Sequence, residues 1–179
     1  LIEDGPLPSP PQLQYADFAD WQRRRFDPDA LAPLIRYWKQ RLGGSLPVLH
    51  LPSDRPRGRV RTYRGACIPL EISKTQSEAV KRLCVVEEVT PFMMLLAVLQ
   101  TLLHRYTAEN DVIVGSPIAS RNRAEIQNML GIFVNTLALR TRIEGHMTFQ
   151  ELLARVREVV LGAYQHQDLP FDMLVEALA

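Results

Sequence analysis

Cysteine is scarce: Cys67 and Cys84 are the only thiols in 179 residues. Neither lies in a CxxC pair or in a Cys/His cluster of metal-ligand spacing, so a disulfide framework and a zinc site are both excluded as readings, and a reducing, cytoplasmic setting fits. Charge of one sign is lacking too. With 21 basic and 20 acidic residues the net charge is +1, and no overall field draws the protein to nucleic acid or an anionic membrane. Long hydrophobic runs are missing. The most apolar stretch, Phe92 to Leu103, is broken by Gln100 and Thr101 and followed by His104 and Arg105. It falls well short of the ~20 residues a spanning helix needs and reads as a buried helix. The first residues have neither a basic start nor an apolar core, so they are not a signal peptide, and the missing initiator Met fits a fragment. No Walker loop, dinucleotide fingerprint or nucleophile elbow occurs. The four histidines, at 50, 104, 146 and 166, have no ligating neighbour at short spacing, so no bound metal is expected.

What is present is an ordinary globular composition, 46% apolar and 23% charged. Four prolines between Pro6 and Pro11 mark 1–14 as an extended linker. Asp27 with Pro28 opens a helix that Gly43 and Gly44 end, with Leu31, Leu34, Ile35, Trp38 and Leu42 on one face. Leu46 to Arg61 has no period and reads as a surface excursion. Thr62 to Ile72 alternates loosely and suits a strand. Ser73 and Gln76 form a capping box for a helix to about Val89, and Thr90 with Pro91 starts the apolar helix to about Tyr106. Asp111 to Ile118 reads as a strand buried on both faces, and Ile132 to Ile143 as a second, longer one. Thr148 and Glu151 cap a last helix carrying Leu152, Leu153, Val156, Val159, Val160 and Tyr164. The order is that of a mixed α/β or α+β two-layer fold, one sheet with helices against it.

Three segments hold polar residues where a plain core would not want them. In GIFVNTLALR, Asn135 shares a strand face with Phe133, Leu137 and Leu139, where an unpaired amide costs about 1 to 3 kcal/mol. It should have a specific partner, either a neighbouring strand or loop or a substrate in a channel. In SPIASRNR, Arg121 is either a solvated loop residue or a forked partner for a carboxylate, with no obvious mate in this chain. In HQDLPFD, His166 lies near a helix end, where it can favour the helix C-terminus or act directly, and Pro170 turns the chain. YADFADW places Tyr15, Phe18 and Trp21 at helical spacing, a stripe more typical of packing than of a ligand platform.

These same blocks, YADFADW at 15–21, GIFVNTLALR at 131–140 and HQDLPFD at 166–172, resemble successive signature motifs of the nonribosomal peptide synthetase condensation family, in that family's order. TPFMMLLAVLQTLLHRYTAENDVIVGSPIASRNR between them resembles the segment preceding its FVNT block. The resemblance implies a chloramphenicol acetyltransferase-like fold of two lobes, with 15–179 supplying most of the C-terminal lobe. It implies amide formation, in which an acceptor aminoacyl thioester's amine attacks a donor acyl or peptidyl thioester. Both substrates ride on phosphopantetheine arms of carrier domains, so no directly bound cofactor is expected. The implied partners are the N-terminal lobe of the same domain, donor and acceptor carriers, and an adjacent adenylation domain.

The family's catalytic pair of histidines would precede Tyr15 and is not in this sequence. The second of them is expected to give general-base help, worth ~10² to 10⁴ in rate. No catalytic residue is therefore assigned here, and the chain is expected to be inactive alone. The resemblance carries over Arg121 as the partner of the histidine motif's aspartate, and Asn135 as a neighbour of the reaction centre, accompanied by Gly131 and Phe133. Tyr15, Asp17, Phe18, Trp21, His166, Gln167, Asp168, Pro170 and Phe171 carry over as architectural. The chain also ends before the last motif and its lobe-bridging strand. A carrier-docking scaffold without chemistry, or an epimerization or heterocyclization relative, are the alternatives.

Overall fold

The computed structural model describes residues 13–55, 60 and 65–178. The expected linker over 1–14 lies outside them except for its last two residues. The elements are α1 (Tyr15–Arg25), α2 (Pro28–Leu42), α3 (Lys74–Val86), α4 (Pro91–Thr107), β1 (Asp111–Ile118), α5 (Ala124–Gln127), β2 (Asn135–Arg142), α6 (Phe149–Gln165) and α7 (Phe171–Leu178). The chain forms two compact units, one from 1–43, 116–137 and 166–179, the other from 44–115 and 138–165.

In the first unit, Asp27 caps α2 by accepting from the Asp29 N–H at 3.1 Å, with Pro28 at the first helical position. Gly43 closes the helix, its N–H donating to the Lys39 carbonyl at 2.8 Å. The predicted face is the buried one: Leu31, Trp38 and Leu42 are inside, and α2 packs on α7, whose Leu174 is also buried. Each such side chain removed from water contributes about 1.5–3 kcal/mol. Trp38 keeps its polar end satisfied, its Nε1 donating to the His166 carbonyl at 3.0 Å.

In the second unit, α4 and α6 pack together and bury Met93, Met94, Leu96 and Ala97 along with Leu152, Leu153, Val156 and Val160. The capping boxes hold α3, α4 and α6 where the sequence puts them. At α6, Glu151 accepts from the Thr148 N–H at 2.7 Å, which holds its carboxyl below the usual range. Gln100 on α4 donates to the Leu139 carbonyl at 3.4 Å, placing this helix against β2. The Ile143 N–H donates to the Asn110 carbonyl at 2.7 Å, which sets the end of β2 beside the start of β1, so the strands run antiparallel. Arg140 locks this end, gripping Asp111 at 2.7 and 3.0 Å and reaching the Ser45 carbonyl at 3.1 Å.

The structure departs from four expectations. No strand forms over the described part of 62–72: Ile68 and Leu70 are 91% and 87% exposed. Alternation there meets no hydrogen-bonding partner, and Pro69 removes a ladder N–H. β1 is not buried on both faces, since only Val112 is fully inside; among the described residues the sheet has two strands, and Gly115 and Pro117 are exposed on one side of β1. β2 begins at Asn135 rather than Ile132 because Ile132 to Val134 belong to the loop that precedes it. Finally, Pro170 does more than turn the chain: its carbonyl accepts from the Leu174 N–H at 3.0 Å and starts α7.

Ala108, just after α4, sits in the left-handed region at φ +57° while its N–H donates to the His104 carbonyl. An L-residue pays about 1–2 kcal/mol for that conformation and glycine does not, although glycine is freer when unfolded. Ala108→Gly should therefore raise stability by about 0.5–1 kcal/mol in urea denaturation. An unchanged or lower midpoint would contradict the role given to this cap.

Candidate functional site

The separated blocks interlock in the first unit. On α1, started where the Gln14 N–H donates to Asp17 at 2.8 Å, the side chains of Tyr15, Phe18 and Trp21 follow one another at ring separations of 5.9 and 5.7 Å. The stripe packs as expected only in part: none of α1 is fully buried, and Tyr15 and Trp21 are 40% and 38% exposed. Phe18 does pack, against a buried cluster of Ile126, Met129 and Phe133. Tyr15 sets its ring edge-on to Phe133 at 5.3 Å and donates its hydroxyl to the Ile132 carbonyl at 2.9 Å. Gly131 permits this approach, because a Cβ there would overlap the Tyr15 ring at Cδ2. Any larger residue at 131 must push the tyrosine out.

Arg121 organises the same loop from the other side. Its Nη1 donates to the carbonyls of Ile126, Gln127 and Met129, its Nη2 to that of Gly131, and the guanidinium lies over the Phe133 ring at 4.1 Å. Within this chain the half-buried charge meets carbonyl dipoles and a π face; the aspartate that the resemblance gives it as a mate belongs to a motif outside this sequence. The forked geometry gathers four carbonyls at and beyond the end of α5, of which that of Ile126 also accepts from the Met129 N–H at 3.3 Å; a lysine could not match that fork.

Asn135 has the specific partners its strand position demanded. Its Nδ2 donates to the carbonyls of Gln167 and Leu169, both at 2.9 Å, and its Oδ1 accepts from the Phe171 N–H at 3.0 Å. Three bonds to backbone use the amide almost fully, so in this state it clamps 167–171 to the first residue of β2. His166, next to the end of α6, stacks flat on Tyr37 at 3.8 Å and 3°, with Arg41 over the tyrosine's ring at 5.6 Å. Burial pushes the Tyr37 phenol up, offset in part by Arg41. Asp168 pairs with Arg25 at 3.1 Å and accepts from Asn122 at 3.4 Å; being half exposed, the ion pair contributes about 0–1 kcal/mol.

Between these groups runs a cleft of about 790 Å³, walled by Tyr15, Trp21, Asn122, Phe133, Asn135 and Asp168 among others. Arg123 and Arg25 lie against Trp21 at 4.4 and 5.3 Å. Ser120 also lines it, at φ +39° and with its Oγ buried and without a hydrogen-bond partner among the described residues. Sequence reasoning missed Arg25, Ser120, Asn122 and Arg123; only their placement beside the Trp21 and Arg121 blocks hinted at them. Among the described residues no group of three His, Cys, Asp or Glu side chains could hold a metal, and no single helix is long and apolar enough to cross a membrane.

With this arrangement of the blocks described, the chain can be set beside a known family. The condensation domain family fits residues 1–179, and the chain belongs to it. It is 49% identical over 166 residues to a protein of the linear gramicidin synthase of Brevibacillus parabrevis, covering 93% of this chain and 2% of that protein. It is 46% identical to phosphinothricin tripeptide synthetase PhsC of Streptomyces viridochromogenes over 173 residues, 97% of this chain and 16% of that one. A solved complex of the X-domain and OxyB from teicoplanin biosynthesis superposes with a TM-score of 0.89 at 28% identity, over 98% of this chain and 40% of that one. The fold is therefore the chloramphenicol acetyltransferase-like one. The chain spans a small part of the relatives' length.

Proposed function

We propose that this chain is part of a condensation domain of a nonribosomal peptide synthetase, with 15–179 forming most of its C-terminal lobe. The observation that carries the reading is the family match along the whole chain, supported by the interlocking of its three blocks around one cleft. In the reaction the acceptor's amine forms a C–N bond to the donor's thioester carbonyl, the C–S bond breaks, and the proton leaves the nitrogen as the thiol departs. The histidine motif that would take that proton belongs to the N-terminal lobe; this chain's part is placement. Arg121, Gly131, Phe133 and Tyr15 fix the loop before β2, and Asn135 fixes the segment after α6, so that two faces of the cleft hold their spacing. Holding both reactants in register is itself a large share of such catalysis.

The partners of this reading are the N-terminal lobe, two carrier domains bearing phosphopantetheine thioesters and a neighbouring adenylation domain, in the cytoplasm. The decisive experiment is single-turnover amide formation between two loaded carriers, with this chain alone and with its N-terminal complement. Product only on mixing supports the reading; product from the chain alone would place the chemistry elsewhere. A docking role without chemistry has one observation in its favour, the similarity to a solved domain held in complex with a second protein. Carrier binding by the complemented domain with no turnover would select it.

A further inference from the structure

Three residues other than glycine hold a left-handed backbone among the described residues: Glu88, Ala108 and Ser120. The first two follow helices α3 and α4, where such a conformation ends a helix. Ser120 has no such duty. It lies between β1 and Arg121, lines the cleft, and buries an Oγ that has no hydrogen-bond partner among the described residues. Backbone and hydroxyl are both disfavoured here, and glycine would relieve both. Strain of this kind gathers where a site needs the side chain.

The strip that follows presents donors. Asn122, whose amide nitrogen donates one N–H to Asp168 at 3.4 Å, has a second N–H on the cleft wall. Arg123, also on the wall, has the Trp21 ring as its partner and no ion pair among the described residues. A ligand group facing 120–123 is therefore an acceptor. We propose that Ser120 is a substrate-contacting residue: its hydroxyl turns about χ1 into the cleft and donates to a carbonyl oxygen of the bound acyl thioester. This deepens, and rests on, the condensation reading.

The test uses the complete domain, an acyl-pantetheine thioester as the binding probe, and the variants Ser120→Gly and Ser120→Ala. Ser120→Gly is expected to raise the unfolding midpoint yet weaken probe binding about tenfold, or ~1.4 kcal/mol. Ser120→Ala, which keeps a Cβ on the left-handed backbone, should weaken binding equally without the gain in midpoint. Parent-like binding by both variants would overturn the proposal, and so would a lowered midpoint in Ser120→Gly, since that would reveal a structural bond. A parent domain that fails to bind the probe overturns it as well. Amide formation is read separately: a parent that binds the probe but joins nothing sinks the condensation reading while leaving the Ser120 contact standing.

Discussion

Arg121→Ala should destabilise the domain by about 2–4 kcal/mol and slow single-turnover amide formation at least tenfold. The stability figure follows from the bonds lost. Hydrogen bonds to a charged group are worth about 1.5–3 kcal/mol apiece, but these four share one side chain and partly exposed acceptors, so they do not add. The carbonyls of Gln127, Met129 and Gly131 would have to find water, and Phe133 would lose the cation above its ring. Loss of rate follows because Tyr15 is bonded to Ile132 of the released loop and packs on Phe133. Arg121→Lys should recover little, having no fork. Urea denaturation together with single-turnover kinetics checks both halves; a variant of parental stability and rate would return Arg121 to an ordinary loop residue.

Asn135→Ala should cost about 2–3 kcal/mol, since it removes three hydrogen bonds that hold 167–171 at the entrance to α7. Asn135→Asp should be worse than its near-identical shape suggests. The carboxylate still accepts from the Phe171 N–H but has no donor for Gln167 and Leu169, and brings negative charge against their carbonyls. Amide exchange at 167–171 is the direct readout, with protection falling in both variants. The family resemblance points instead to a defect in the chemical step. If protection and stability stay parental while that step slows, the amide faces substrate rather than backbone.

Helix starts are legible because their signals are local: Asp27 with Pro28, Ser73 with Gln76, Thr90 with Pro91 and Thr148 with Glu151 each act within four residues. β1 is legible in its bounds for the same reason. Burial is not, because it depends on what lies across from a residue, as Ile68, Leu70 and the open side of β1 illustrate. The demand that Asn135 find a partner can be read from its apolar strand face, but the partner, 32 to 36 residues away, cannot. Arg121 stands out in sequence for its charge beside a buried run, while the carbonyls it gathers come from loop geometry that no pattern encodes. Pro170 reads as a stop and serves as a start, an ambiguity inherent in a residue that suits both places.

The first unit is assembled from three stretches of chain with the second unit's two segments lying between them in sequence. Recombination between related synthetases therefore meets an uneven landscape. A crossover pair bracketing 44–115 exchanges a contiguous block and leaves every bond of Arg121 and Asn135 with native partners. A junction between Asn135 and Phe171 joins a clamp from one parent to a strap from another, so chimeras cut there inherit mismatched cleft walls even when both parents are sound.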